Sequence, residues 1–463
     1  MNKRYIILFV VGLHFSMRAE NLLGEGDRIS GALMGATIGD AFGQVTASFS
    51  SFKAITAEYG KYGLSSLSQF KDEDWYTDST DIKRIPYTRN TMISSLSCTL
   101  LAQMRKEQLS GDFYATRFAQ SFHYFYGEED VPWDVHFSQW YQANKINLKE
   151  NELVPSTQYY YWMSQGGDSR VHYCYHNPAD EGALSRAWPV ALVYADNLKE
   201  ARKYSDFVTM MTHTHPTARA ATAAYVTGMI TLLKGGSVTS AVDDMVKEAE
   251  KFDSIESQAK NNSIKISSDS EFKPLFVAQG RLLTSDLIRY AVWLAQEGKT
   301  PEEVFGVTSK KQESNRSFRG YLLGYQADEA VAAAVYLLLR HPDSFKKVIA
   351  EGSLACGNTP LITSLAGALS GAHLGIETIK NDGFVPVLES LENSEKLAQL
   401  PSLVTASRQV PITSFGSDIP DMITMDDAAV YYDLNRKDSN WRTFKRLFLA
   451  GGLALGAYLY MRS

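Results

Sequence analysis

Cysteine is scarce in this sequence. The three cysteines, Cys98, Cys174 and Cys356, stand far apart, and none has the close spacing of a zinc cluster. Because three thiols can form at most one bridge, the sequence predicts neither a disulfide framework nor a zinc site. Cys98 follows an apolar helical pattern, which favours a small core residue over a reactive thiol.

Long basic runs and sustained strand alternation are also missing. Lys and Arg total 46 against 52 Asp and Glu, a net charge of −6, so nucleic acid is not expected as a partner. Hydrophobic residues make up 44% of the chain, which is enough for a sizeable core. Apolar residues recur at helical spacing, which predicts an all-α fold. The clearest predicted helices cover residues 92–104, 217–233, 284–296, 328–339 and 361–373.

The two ends of the chain suggest contact with a membrane. Residues 1–19 carry Lys3 and Arg4 before a short apolar stretch, which predicts a signal peptide or an uncleaved N-terminal anchor. Residues 447–461 are uncharged, mostly apolar and flanked by cations. Residues 445–463 therefore predict a C-terminal membrane anchor, with a terminal helix docked on the domain as the alternative. We expect a secreted, exported or membrane-anchored protein.

Between the ends, residues 27–383 predict one compact multi-helix domain. Residues 122–177 are dense in Tyr, Trp and Phe, which predicts an aromatic-rich insertion that acts as a packed cap or as a ligand platform. The polar residues 251–272 predict an exposed loop. Residues 384–440 contain many Gly, Pro, Asp and Ser residues and predict an irregular segment or linker.

Four glycines recur every four residues near the start of this domain, at Gly31, Gly35, Gly39 and Gly43. On a helix they form one smooth stripe. Since each glycine costs a helix about 1 kcal/mol relative to alanine, the spacing predicts that this backbone packs against another backbone. A membrane helix is the rival interpretation, and Asp40 within the stripe speaks against it.

The glycine-spaced helix, which ends in Gly-Asp-Ala-hydrophobic-Gly, resembles the N-terminal signature of the ADP-ribosylglycohydrolase family. Further landmarks of that family follow in the same order: Glu181-Gly182-Ala183-Leu184-Ser185-Arg186-Ala187-Trp188-Pro189, Thr212-His213-Thr214-His215-Pro216, Ala327-Asp328-Glu329-Ala330, and Gly357-Asn358-Thr359 before a small-residue helix. No single landmark is specific, but their order makes chance a poor explanation. The resemblance implies a compact all-α ADP-ribosylglycohydrolase-like fold and ADP-ribose, or an ADP-ribosylated protein, as a ligand.

Active members of the family hold two magnesium ions with clustered carboxylates and threonines, since Mg²⁺ requires hard oxygen ligands. At the corresponding positions this sequence lacks most of the acids. Ala47 stands for the first acid, and Thr88-Arg89-Asn90-Thr91 stands for Thr-Asp-Asp-Thr. The late Asp-x-Asp-Thr motif falls on Asn358-Thr359-Pro360-Leu361.

From this comparison we predict no catalytic residue, no metal ligand and no cofactor, with magnesium only if the chain is an active hydrolase. The positions of the family's metal site become candidate ligand-binding residues: Thr88, Arg89, Asn90, Thr91, Asn358 and Thr359. The landmark loop adds three more candidates: Glu181, Gly182 and Arg186. Arg89 either pairs with a ligand phosphate, or forms a salt bridge with Asp40 or fills the vacated metal site. A shifted alignment through Asp78 is the alternative, although Pro86 interrupts any helix that starts there.

Three hypotheses for function remain at this point. The first is a non-catalytic member that binds ADP-ribose or another phosphate-bearing ligand. The second is an active ADP-ribosyl hydrolase with an altered metal site, using Asp78, His213 or His215, although a packing role is favoured for both histidines. The third is a secreted or membrane-tethered scaffold that contacts a protein partner through residues 122–177. We favour the first and third over the second.

Overall fold

The computed structural model describes residues 23–49, 51–78, 81–109, 179–213, 215–257, 282–306 and 322–412, together with residues 111, 113, 114, 117 and 118. Within these ranges nearly all regular structure is helical, which confirms the predicted all-α class. The strands of the described residues form one small antiparallel hairpin, β1 (Tyr76–Thr77) and β2 (Lys83–Arg84).

The helices are named in chain order. They are α1 (Glu25–Thr46), α2 (Phe52–Tyr59), α3 (Arg89–Glu107), α4 (Leu184–Ala187), α5 (Pro189–Tyr194), α6 (Leu198–Met210), α7 (Pro216–Leu233), α8 (Val238–Glu250), α9 (Thr284–Gln296), α10 (Pro301–Phe305), α11 (Ala327–Arg340), α12 (Phe345–Gly352), α13 (Thr359–Ile379), α14 (Val385–Ser390), α15 (Ser394–Leu397) and α16 (Leu400–Arg408). A 3-10 turn, Glu181–Ala183, leads directly into α4.

The glycine stripe of α1 lies against α13, and the two helices run in opposite directions. A Cβ atom on Gly35 would lie 2.3 Å from the carbonyl oxygen of Gly367, and one on Gly31 would lie 2.2 Å from that of Gly371. Such distances leave no room for a side chain, so the two backbones are in direct contact. The prediction of backbone packed against backbone is therefore confirmed.

The centre of the domain is formed by alanine-rich helices. Every residue of α7 except Thr231 is buried, because its small side chains allow neighbouring helices to approach from all sides. All five predicted helical runs appear in the structure. They correspond to α3, α7, α9, α11 and α13; four of them agree with the predicted bounds within three residues, and α13 ends six residues later than predicted.

The helical domain continues beyond the predicted boundary at residue 383. Helix α13 is kinked at Gly375, whose φ is 77°. Helices α14 to α16 then occupy residues that the sequence predicted to be an irregular segment or linker, so that prediction is wrong for residues 385–408. The Arg105 guanidinium fixes this segment, because it donates to the carbonyls of Arg408 and Val410, each at 3.2 Å.

The start of the predicted loop 251–272 also differs from expectation. Phe252, Ile255 and Glu256 are buried, and the Glu256 carboxylate accepts a hydrogen bond from the Thr217 hydroxyl at 2.8 Å. The polar composition of this segment did not predict the packing. The Glu256 carboxylate can be buried because hydroxyl groups donate hydrogen bonds to it.

The proposed signal, the C-terminal anchor and the aromatic insertion, residues 1–19, 445–463 and 122–177, lie outside the described residues. No helix that the structure describes is both long and apolar enough to cross a membrane.

Candidate functional site

The motif at residues 88–91 forms the first turn of α3. Thr88 is the N-cap, and its hydroxyl oxygen accepts the N–H of Asn90 at 3.1 Å. Threonine suits this position because its side chain satisfies one of the unpaired N–H groups at a helix start. The preceding Pro86 lies in the connection between β2 and α3. The helix therefore begins where the alignment through residues 88–91 requires.

The side chain of Asp40, in α1, is a buried carboxylate that contacts this turn. It accepts four hydrogen bonds, from the Thr88 N–H at 2.9 Å, the Thr88 hydroxyl at 2.6 Å, the Asn90 amide at 3.2 Å and the Thr91 N–H at 3.1 Å. Burial raises the pKa of Asp40, and these hydrogen bonds act in the opposite direction. No lysine, arginine or histidine of the described ranges pairs with Asp40, so the salt bridge to Arg89 considered from the sequence is not formed.

The Asn90 carboxamide bridges two neighbouring helices. Its nitrogen donates to Asp40, and its oxygen accepts the Ser185 hydroxyl of α4 at 3.0 Å. A carboxylate has no hydrogen to donate, so an aspartate at this position would face Asp40 with oxygen against oxygen. An amide therefore suits a position beside a buried acid, because it can donate a hydrogen bond to that acid.

Asn358 repeats this arrangement at the start of α13. Its side-chain nitrogen donates to the Glu181 carboxylate at 2.7 Å, and its backbone N–H donates to the Leu323 carbonyl at 2.8 Å. The next residue, Thr359, is buried, and its hydroxyl donates to the Ala355 carbonyl at 2.6 Å. The structure therefore brings two predicted candidates, Glu181 and Asn358, into direct contact across 177 residues.

The remaining loop candidates have structural partners. Gly182 donates its N–H to the Asp180 carboxylate at 3.1 Å, which caps the 3-10 turn. Arg186 is buried, and its guanidinium donates to the Val208 carbonyl at 2.7 Å and to the Thr212 hydroxyl. The Arg186 side chain is therefore held against the end of α6, and its contact with a ligand stays a prediction.

The two histidines of the Thr-His element are also built into the core. The His213 ring contacts the Asp180 carboxylate through Nε2 at 2.6 Å and the Thr212 hydroxyl through Nδ1 at 2.6 Å. His215 caps α7, since its ring accepts the Thr217 N–H at 3.1 Å. These contacts agree with the packing role favoured from the sequence.

Three residues of this site were not among the predicted candidates: Asp40, Ser185 and Asp180. Asp40 and Ser185 belong to family-like motifs that were visible in the sequence, so the motifs could have identified them. Asp180 lies just before its motif, and no sequence signal links it to His213.

The residues present do not fit a pair of magnesium ions. In the part of the chain that the structure describes, no group of three or more His, Cys, Asp or Glu side chains is arranged to hold a metal. Asn90 and Asn358 direct their NH₂ groups at acids, and Pro360 has no side-chain ligand atom. The shifted alignment does not supply the missing acids, because Asp78 pairs with Arg84 at 3.1 Å in the β1–β2 hairpin.

Comparison with known proteins agrees with the resemblance seen in the sequence. The family model described as ADP-ribosylglycohydrolase matches residues 21–411. One similar solved structure, described as an "ADP-ribosylglycohydrolase-related protein complex", is 14% identical over 84% of this chain and 99% of its own, with a TM-score of 0.49. No curated protein matches the chain significantly.

Proposed function

The chain belongs to the ADP-ribosylglycohydrolase family, and from this premise we propose that it binds ADP-ribose, free or attached to a protein, without hydrolysis by paired magnesium ions. The observation that carries the proposal is the pair of amides, Asn90 and Asn358, each donating to a carboxylate where active relatives have an acid. Two carboxyl groups at such distances need a cation or a shared proton between them, whereas an amide and a carboxylate need neither.

The binding half of the proposal draws on the residues around these amides. Arg89 is partly exposed in the first turn of α3, directly beside Asn90. A guanidinium can bind a phosphate with two parallel hydrogen bonds. We assign Arg89 to the diphosphate of the ligand.

An exposed aromatic ring lies two residues after Leu323, which contacts Asn358. Tyr325 is 48% exposed in the turn before α11, and Leu323 of this turn accepts the backbone N–H of Asn358. A tyrosine ring offers a flat apolar face on which an adenine can stack. We assign Tyr325 to the adenine end of the ligand.

We also propose a localisation for the protein, from the composition of its two terminal segments. The signal-like residues 1–19 and the apolar residues 447–461 favour an exported or membrane-tethered protein. An ADP-ribosylated protein outside the cytoplasm or at a membrane surface would then be the natural partner.

Calorimetric titration of the full chain with ADP-ribose, in a buffer containing EDTA, tests the binding half. We expect saturable heat for the unchanged protein and a loss of about tenfold or more in affinity for Arg89→Gln, the scale of one charge-assisted contact. The matched control is Arg289→Gln, which removes an arginine from the exposed face of α9 and should leave binding unchanged. A folded protein that gives no heat contradicts the binding proposal and favours the interaction scaffold.

An assay with an ADP-ribosylated protein tests the other half. We expect no release of ADP-ribose with or without Mg²⁺. Release that requires Mg²⁺ would show that the chain is an active hydrolase with an altered metal site.

A further inference from the structure

The two amides of the site connect elements that are distant in sequence. We propose that the side-chain nitrogens of Asn90 and Asn358 replace bound cations as cross-links, so that the site is assembled without metal. This inference deepens the proposed binding role. It rests on that role only for which ligand the assembled site binds.

The first cross-link joins α1, α3 and α4. The Asn90 nitrogen lies 3.2 Å from an oxygen of the buried Asp40, and the Asn90 oxygen lies 3.0 Å from the Ser185 hydroxyl. These partners are 50 and 95 residues away in sequence, so both bonds are tertiary. Each N–H hydrogen carries partial positive charge and faces a carboxylate, which is the role that a cation has between two acids.

The second cross-link joins α13 to the turn before α4. The Asn358 nitrogen donates to Glu181 at 2.7 Å, and the two residues are 177 positions apart. Since Asn358 is also the N-cap of α13, this bond holds the helix start against the loop that carries Glu181 and Gly182. The two amides together connect five elements around the site, which are α1, α3, α4, α13 and the 3-10 turn.

The proposal predicts an unusual order of effects. An aspartate has almost the shape of an asparagine, so a residue that only fills space would tolerate Asn90→Asp better than Asn90→Ala. A residue that replaces a cation would show the opposite order, because aspartate sets a second negative charge against the buried Asp40, whereas alanine only removes the bonds. The isosteric change is therefore expected to be the more harmful one.

Thermal unfolding of the full chain in EDTA measures this order. We expect Asn90→Asp and Asn358→Asp to unfold at least about 5 °C below the unchanged protein, the scale of an unpaired charge beside a buried acid. Asn90→Ala should lose less. The control is Asn197→Asp, at the N-cap of α6, where the side chain accepts the N–H of Glu200 and a carboxylate serves equally well.

Added Mg²⁺ provides the second readout. It should recover stability in the two aspartate variants, since a cation can then sit between the paired acids, and should leave Asn90→Ala and the unchanged protein as they were. Asn358 and Glu181 are only partly buried, so Asn358→Asp keeps the test decisive if Asn90→Asp does not fold.

Two results would overturn the inference. One is aspartate variants as stable in EDTA as Asn197→Asp, and the other is stabilisation of the unchanged protein by Mg²⁺. Neither measurement uses ADP-ribose, so a failure here is distinct from a failure of the proposed binding role.

Discussion

The contact between α1 and α13 predicts that an alanine substitution destabilises the protein, although helix propensity alone would favour alanine. Gly35→Ala should favour an isolated helix by about 1 kcal/mol. In the protein, however, the new Cβ would lie 2.3 Å from the Gly367 carbonyl oxygen, a backbone atom that no rotamer change can move aside. Overpacking of a rigid contact costs up to about 3 kcal/mol, so we expect a net destabilisation of about 2 kcal/mol.

Urea unfolding followed by circular dichroism measures this difference. Gly26→Ala is the matched control in the same helix, because a Cβ on Gly26 meets nothing within 4 Å. The control should be neutral or slightly stabilising. Because Asp40 lies beside the stripe on α1 and Asn358 at the start of α13, Gly35→Ala should also weaken ligand binding. A Gly35→Ala protein as stable as the unchanged one would refute the close contact of the two backbones.

Two further predictions concern titrating groups. Burial alone would raise the pKa of Glu351, but the His341 ring, 3.0 Å from the carboxylate, and the hydrogen bonds from Arg340 outweigh it and hold the pKa below its usual value. Glu351 therefore stabilises the fold above pH 4.5, and the stability difference between the unchanged protein and Glu351→Gln should shrink as the pH falls from 5 to 3, roughly through the ordinary glutamate range. A difference that stays constant with pH would contradict this. Burial also raises the pKa of Cys98 to about 12, so mass spectrometry after alkylation near pH 8 should find Cys98 unmodified in native protein and modified in guanidinium; native labelling would show that the thiol is accessible.

The sequence predicted the helices well because their signals are local. Apolar spacing located α3, α7, α9, α11 and α13, and the glycine repeat predicted a backbone contact before its partner was known. The end of the domain was missed because α14 to α16 are short and rich in the residues of linkers. Only the folded chain shows that Arg105 fixes this segment to the body.

The site was only partly accessible to sequence reasoning. The family-like motifs located Asn90 and Asn358, but the acids that they contact lie 50 and 177 residues away, beyond any local pattern. Arg186 shows the same limit. Its motif suggested a ligand contact, but no sequence pattern predicted that its guanidinium donates a hydrogen bond to the Val208 carbonyl of α6. Motifs therefore identified candidate residues but did not reveal their hydrogen bonds.

The account depends on a site that is complete without divalent cations. A crystal structure after soaking in Mn²⁺, a substitute for Mg²⁺ with anomalous signal, tests this most directly. We expect no anomalous density among Thr88, Asn90 and Asn358, and an unchanged bond from Asn90 to Asp40. Two anomalous peaks in that position would contradict the account.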